Sequence, residues 1–226
     1  MLLASHRERQ ESAIEFMQNS ARPGRLFVIA APSGAGKTSL VKALLDREPR
    51  VRVSVSHTTR KPRQHEMNGR DYFFVSIPEF QAMIAADAFV EHARVFDNFY
   101  GTSRAALDQA CGAGYDVILE IDWQGARQVR QALPDCRLVF ILPPSRAALE
   151  IRLRNRRTDN EEVIQRRLRD AVGDMSHCRE FDFVIINDDF DRAVSDLQHV
   201  IRGESTDLAA GRAALEPLLR DLLASP

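Results

Sequence analysis

Cysteine is scarce in this chain: Cys111, Cys136 and Cys178 lie far apart and form no CxxC pair. That spacing argues against a disulfide framework and against a zinc site, and it fits a reducing compartment. Long apolar runs are missing as well, none approaching the length needed to cross a bilayer. A charge excess of either sign is also absent. With 31 Lys and Arg against 32 Asp and Glu, the formal net charge is −1, so no global field draws the chain to nucleic acid or to an anionic membrane. Any affinity for phosphate must come from local clusters. The N-terminal stretch mixes Arg7 and Arg9 with Glu8, Glu11 and Glu15, which suits neither a signal peptide nor a transit peptide. No internal repeat or low-complexity segment is present. The expectation is a cytoplasmic, soluble chain with neither nucleic acid nor membrane as partner. Its 226 residues suffice for one large domain or a core with inserted lobes. Whether it is a monomer or a homo-oligomer is left open.

What the chain does have is the stretch from Arg25 to Leu40. Leu26 to Ala30 is a short, β-branched apolar run of the kind that makes a buried strand. Pro32-Ser33-Gly34-Ala35-Gly36 follows, a turn small enough to wrap backbone N–H groups around an anion. From Lys37 to Leu45 apolar residues recur at helical spacing, so a helix N-terminus faces back on that turn. Strand, anion-cradling turn and helix N-terminus together suit a nucleotide phosphate chain. The Walker A pattern has Lys on the outer phosphates and Ser or Thr on Mg²⁺. Gly36, Lys37 and Thr38 match it, followed by Ser39, whereas Ala31 stands where the first glycine belongs. The extra methyl is tolerable provided that Ala31 keeps a negative φ.

Further on, Val51 to Val55 alternates like a strand and Ser56 to Arg63 reads as a polar, cationic loop. Asn68-Gly69 signals a hairpin turn ahead of a strand over 71–75. A short helix over 77–86 has Pro at its first turn, and 89–95 is strand-like. Asn98 to Gly101 reads as a turn, and Ser103 caps a helix. The α/β rhythm then resumes: strands at 116–121, 138–142 and 183–186 alternate with helices at 124–133, 145–154, 160–178 and 190–201. That rhythm predicts a parallel sheet with helices on both faces. An amphipathic stretch, 215–223, follows a polar segment.

Four constellations carry chemistry. Arg60 and Arg63, fixed around Pro62, can hold one phosphate dianion together with Tyr72. Glu91, in a largely apolar strand, suits guanine N1–H and its 2-amino group, while hydroxyls of Ser56 and Thr102 suit O6. Adenine lacks that donor pair and would leave a buried carboxylate unpaired. Glu120 and Asp122 end a buried strand, where an acid near Mg²⁺ or its waters belongs. Arginines from Arg152 to Arg169 crowd two helical segments, as a basic lid over a transferring phosphoryl group requires. Glu161, Glu162 and Asp170 among them imply that several of these arginines are structural.

These pieces resemble the guanylate kinase family of P-loop nucleoside monophosphate kinases, closest to its bacterial members. The motifs are Ser56-His-Thr-Thr-Arg60-Lys-Pro-Arg63, Gly69-Arg-Asp-Tyr72-Phe-Phe, Tyr100-Gly-Thr102, Glu120-Ile-Asp122-Trp-Gln-Gly, Ile141-Leu-Pro-Pro-Ser and Asn187-Asp-Asp. The resemblance implies an α/β fold in which a P-loop NTPase-type core carries an inserted β-rich nucleotide-monophosphate lobe and a helical lid. It implies transfer of the γ-phosphoryl of ATP to GMP, with ATP as co-substrate and Mg²⁺ as cofactor. Ser56, Glu91, Thr102 and Asp122 would then read guanine, and Arg60, Arg63, Tyr72 and Tyr100 would hold its phosphate. Residues 31–39 would bind ATP, with Lys37 on its phosphates, Thr38 on Mg²⁺ and Asn187 near adenine. Arg152, Arg156 and Arg167 would clamp the transferred group. The implied divisions are an appendage (1–24), a domain (25–207) and a C-terminal extension (208–226). Within the domain the core is 25–55, 103–150 and 180–203, the GMP lobe 56–102 and the lid 151–179. In the lid, Asn155 and Arg157 replace glycines usual in the family, which should stiffen that turn. Two alternatives remain: a catalytically weak phosphopeptide-binding module of the same fold, and a sugar-phosphate kinase of similar fold.

Overall fold

The computed structural model describes residues 23–95, 97–155, 160–204 and 207–224. Its central sheet is built from β1 (Leu26–Ala30), β2 (Val51–Val53), β7 (Asp116–Glu120), β8 (Arg137–Leu142) and β9 (Phe183–Ile186), in the order β2-β7-β1-β8-β9. Every pairing in it is parallel. Continuous apolar runs are what such strands require, because residues on both faces are buried. In β1, Phe27 and Ile29 face one core while Val28 and Ala30 face the other. The first core is closed by α1 (Lys37–Arg47), through Leu40, Val41 and Leu44, and by the helix Phe190–Arg202, through Val194, Leu197 and Val200. The second is closed by α3 (Arg104–Gly112), α4 (Trp123–Ala132) and a C-terminal helix, through Leu107, Val129, Leu219 and Leu222. Each such side chain contributes ~2 kcal/mol of apolar burial, so the strand ends are fixed by packing on both sides.

A second, four-stranded sheet runs β4 (Phe73–Phe74), β3 (His57–Thr58), β6 (Asn98–Ser103), β5 (Phe89–Val95). It lies between β2 and α3 in sequence, and α2 (Ile77–Ala85), with its Ser76 capping box, belongs to it. Three expectations change here. His57 and Thr58 form a strand rather than loop, because they pair with Gly101 and Tyr100. Residues 98–101 form β6 rather than a turn. Gly101 is there for packing: a Cβ would sit 2.9 Å from Phe89 Cδ1 and 3.1 Å from Phe80 Cζ. Gly69 does make a left-handed turn, with φ 78°, but β4 joins β3 in parallel, so no hairpin results.

Most of the stretch expected to form a lid lies in two helices, α5 (Arg146–Asn155) and α6 (Glu161–Ser176), the second capped by Asn160 as its sequence predicts. The C-terminal stretch forms α8 (Glu216–Leu223), after α7 (Phe190–Arg202). Leu215, Leu219 and Leu222 are buried in the second core. Arg179 bonds both oxygens of Glu216 at 2.7 Å, and Arg146 Nε donates to the Leu222 carbonyl at 2.7 Å, so α8 is tied beneath the foot of α5. Among the described residues, no helix is long and apolar enough to cross a membrane.

Candidate active site

The phosphate loop joins β1 to α1. Gly34 and Gly36 have φ of 94° and 97°, values that L side chains rarely adopt. Asp87 is the single non-glycine residue with positive φ among those described, so Ala31 keeps an ordinary backbone and its methyl imposes no strain. The loop is held from outside through one carbonyl. Ala35 O accepts from Asn187 Nδ2 at 2.7 Å and from Arg152 Nη1 at 3.2 Å, and Arg152 Nη2 donates to Asn187 O at 2.7 Å. Asn187 is buried after β9, and Arg152 comes from α5. The two residues expected at adenine and at the transferred phosphoryl thus shape the loop as well. Arg167 Nη1 reaches Ser33 Oγ at 3.4 Å. Residues Ala31, Pro32, Ser33, Gly34, Gly36, Lys37, Thr38 and Ser39 enclose a space of about 300 Å³.

This geometry makes Gly36 sensitive. A Cβ on it would lie 2.4 Å from Asn187 Nδ2, and the left-handed conformation costs an L residue ~1–2 kcal/mol by itself. Gly36→Ala is expected to lower the melting temperature by about 3–6 °C and to raise KM for ATP more than KM for GMP. Differential scanning calorimetry with initial-rate kinetics checks both.

A second space, about 200 Å³, is lined by Lys37, Ser56, Tyr72, Glu91, Tyr100, Glu120 and Asp122, among others. Lys37 therefore borders both spaces, with its Nζ 3.4 Å from the Ile121 carbonyl. Burial pulls the Lys37 ammonium below its ordinary pKa, and the nearby Glu120, Asp122 and Asp174 oppose that shift. Asp174, on α6, has no counterpart among the site residues expected from the sequence: nothing in a lone helical Asp signals that its charge acts on Lys37. Thr38 Oγ1 donates to Glu120 Oε2 at 3.2 Å. Asp122 caps α4, accepting from Gly125 N at 2.8 Å with Oδ1.

Glu91 is only 5% exposed. Burial pushes its carboxyl above the ordinary range, opposed by the bond that it accepts from Thr102 Oγ1 at 2.6 Å. Thr102 has one hydroxyl proton and spends it on Glu91, so its contribution runs through that carboxylate. Ser56 is the hydroxyl of the expected pair that lines the space.

In the cationic loop, the Arg60 guanidinium carbon lies 5.4 Å from the Tyr72 ring centroid, and the Tyr72 and Tyr100 centroids are 6.0 Å apart. Burial raises the Tyr72 phenol. Arg63 is exposed at the loop's rim. Arg60 also bonds Glu66, a residue that the sequence reading passed over. Of the lid arginines, Arg154 is tied to Glu150 and Glu161, a structural task, and Arg156 lies outside the described residues. At the C-terminal end of α6, Trp123 stacks on His177 with centroids 3.6 Å apart, and the Arg127 guanidinium lies 4.5 Å from the same indole. Glu180 joins Arg127 to His177 at 2.5 and 2.7 Å.

Comparison with known proteins agrees with this arrangement. The guanylate kinase family model matches residues 23–204. The guanylate kinase of Escherichia coli strain K12 is 52% identical over 203 residues, spanning 89% of this chain and 98% of that protein. That of Salmonella typhi is 51% identical over the same shares. A solved guanylate kinase structure from Anaplasma phagocytophilum aligns with a TM-score of 0.65 at 32% identity, covering 88% of this chain and 94% of that one. A phosphate loop facing a guanine-compatible pocket, and relatives this similar over nearly their whole length, place the chain in the guanylate kinase family.

Proposed function

We propose that the chain transfers the γ-phosphoryl group of ATP to GMP, giving ADP and GDP, in cytoplasmic purine nucleotide metabolism. The observation that carries this reading is the sharing of one space by Lys37, Glu91 and Asp122. ATP phosphates occupy the loop at residues 31–39, and Asn187 holds the loop's shape on the adenine side. GMP sits in the second space, its base against Glu91, Asp122 and Ser56, its phosphate against Arg60, Arg63, Tyr72 and Tyr100. A GMP phosphate oxygen attacks the γ-phosphorus in line. The new O–P bond forms as the bond from the γ-phosphorus to the β,γ-bridging oxygen breaks, and ADP leaves with that oxygen. No covalent enzyme intermediate is needed. Lys37, Arg152, Arg156 and Arg167 stabilise charge on the transferred group.

Thr38 and Glu120 offer hard oxygen ligands at the loop's mouth, 3.2 Å apart. Among the described residues, no cluster of three or more His, Cys, Asp or Glu could hold a metal alone. That combination fits Mg²⁺, which is bound mainly by substrate phosphates and water with one or two protein oxygens. Bound there, Mg²⁺ would neutralise phosphate charge, with Thr38 as ligand and Glu120 on a coordinated water.

The phosphopeptide-module reading predicts binding at Arg60, Arg63 and Tyr72 without turnover, and a sugar-phosphate kinase has no use for Glu91. A coupled ADP-release assay with Mg·ATP across GMP, dGMP, AMP, CMP and UMP decides among the three. GMP is expected to exceed AMP in kcat/KM by about 10⁴-fold. Equal rates, or none, would remove the guanine assignment.

A further inference from the structure

Glu66 closes the loop that follows Arg60. Its backbone N–H donates to Arg63 O at 3.0 Å, and its Oε2 accepts from Arg63 N at 2.7 Å. Its other oxygen, Oε1, accepts from Arg60 Nη2 at 2.8 Å, while Arg60 Nη1 donates to the Lys61 carbonyl at 2.9 Å. Both side chains of the ion pair are largely shielded, at 19% and 17% exposure. Arg60 also lies near the rings of Tyr72 and Phe74. A carboxylate beside a phosphate pocket is unfavourable on charge alone, because it repels the dianion. Its geometry offsets that. A guanidinium has five N–H donors in a rigid fork; Glu66 and Lys61 O take one each, the Tyr100 hydroxyl stands within reach of the fork as well, and the plane and heading of the guanidinium are thereby set. The hydrogen bond from Arg60 holds the Glu66 carboxyl below the usual range, so the pair stays charged at neutral pH.

We propose that Glu66 is a positioning residue for binding of the GMP phosphate: by gripping Arg60 and closing the 60–66 loop, it presents the Arg60 fork ready-made to that phosphate. This rests on the reading that Arg60 holds that phosphate.

Steady-state kinetics in both substrates, with guanosine as a competitive inhibitor that lacks the phosphate, tests it. Glu66→Ala is expected to raise KM for GMP about ten-fold while kcat and KM for ATP stay within about two-fold. The inhibition constant of guanosine is expected to be unchanged, because the base pocket does not depend on Glu66. Glu66→Gln keeps an oxygen for either Arg60 or Arg63 N and should recover most of the loss. A KM for GMP that is unchanged or lower in Glu66→Ala overturns the proposal, since Glu66 would then be idle or a competitor of the phosphate. Equal weakening of guanosine and GMP overturns it too, because the lobe as a whole would have been disturbed. Arg60→Ala separates the two layers. If it leaves KM for GMP unchanged, the underlying phosphate assignment fails. If it raises KM while Glu66→Ala does not, the positioning role alone fails.

Discussion

Lys37→Ala lowers kcat by about 10³-fold while GMP binding changes by no more than about two-fold. The expected split follows from where Lys37 stands. Its backbone begins α1, in the loop that encloses the phosphate space, yet its side chain also borders the space proposed for GMP. A cation in that place serves charge that builds up between the two nucleotides in the transition state, and this is what separates loss of kcat from loss of affinity. Burial has already lowered the ammonium pKa, with Glu120, Asp122 and Asp174 opposing, so a neutral residue removes a desolvated charge. Calorimetric titration with GMP alongside initial rates makes the measurement. A variant that loses GMP affinity in proportion to its rate would place Lys37 in acceptor binding and not in transfer.

Glu91→Gln presents the opposite balance between stability and activity. The Glu91 carboxyl is buried and raised in pKa, so the folded chain holds that proton more tightly than the unfolded chain. Stability contributed by this group is therefore greatest at acid pH, and it declines as pH rises from the ordinary glutamate value through the raised one. Once ionised, Glu91 is a cost to folding. Glutamine retains an oxygen for Thr102 Oγ1 and carries no charge to desolvate. Glu91→Gln should accordingly melt at the same temperature as the parent or higher at pH 7, with the difference shrinking toward pH 4. Activity moves the other way: the amide turns donors toward the guanine N–H groups, and kcat/KM for GMP falls about 10²–10³-fold. Thermal melts across pH with GMP kinetics test both halves. A clear loss of melting temperature at pH 7 would assign the Glu91 charge to the fold and not to the base.

Much of this was legible in the sequence wherever the signal was local. The run from Leu26 to Leu45 announces β1, the loop and α1 because a continuous apolar run, small residues and helical spacing lie within one short window. The caps at Ser103, Ser145 and Asn160 are equally local. The small sheet was harder to read. His57 and Thr58 become a strand only because Gly101 and Tyr100, some forty positions on, supply the partners, and Gly101 resembles a turn residue until Phe80 and Phe89 are seen above it. The site divides in the same way. Residue types suited to guanine and phosphate could be picked out, but Asn187 and Arg152 meeting on one loop carbonyl could not. Neither could the influence of the Asp174 charge on Lys37, because these residues lie on segments far apart in the chain.

Trp123 is the chain's single tryptophan, and it follows directly after Asp122. With its indole between His177 from the end of α6 and Arg127 from its own helix, the protein carries a built-in optical probe. Light absorbed selectively by that ring reports on one junction and no other. Emission recorded as each nucleotide is added can therefore be followed without attaching a dye. A change in that junction on nucleotide binding would be visible on the time scale of a stopped-flow mixer.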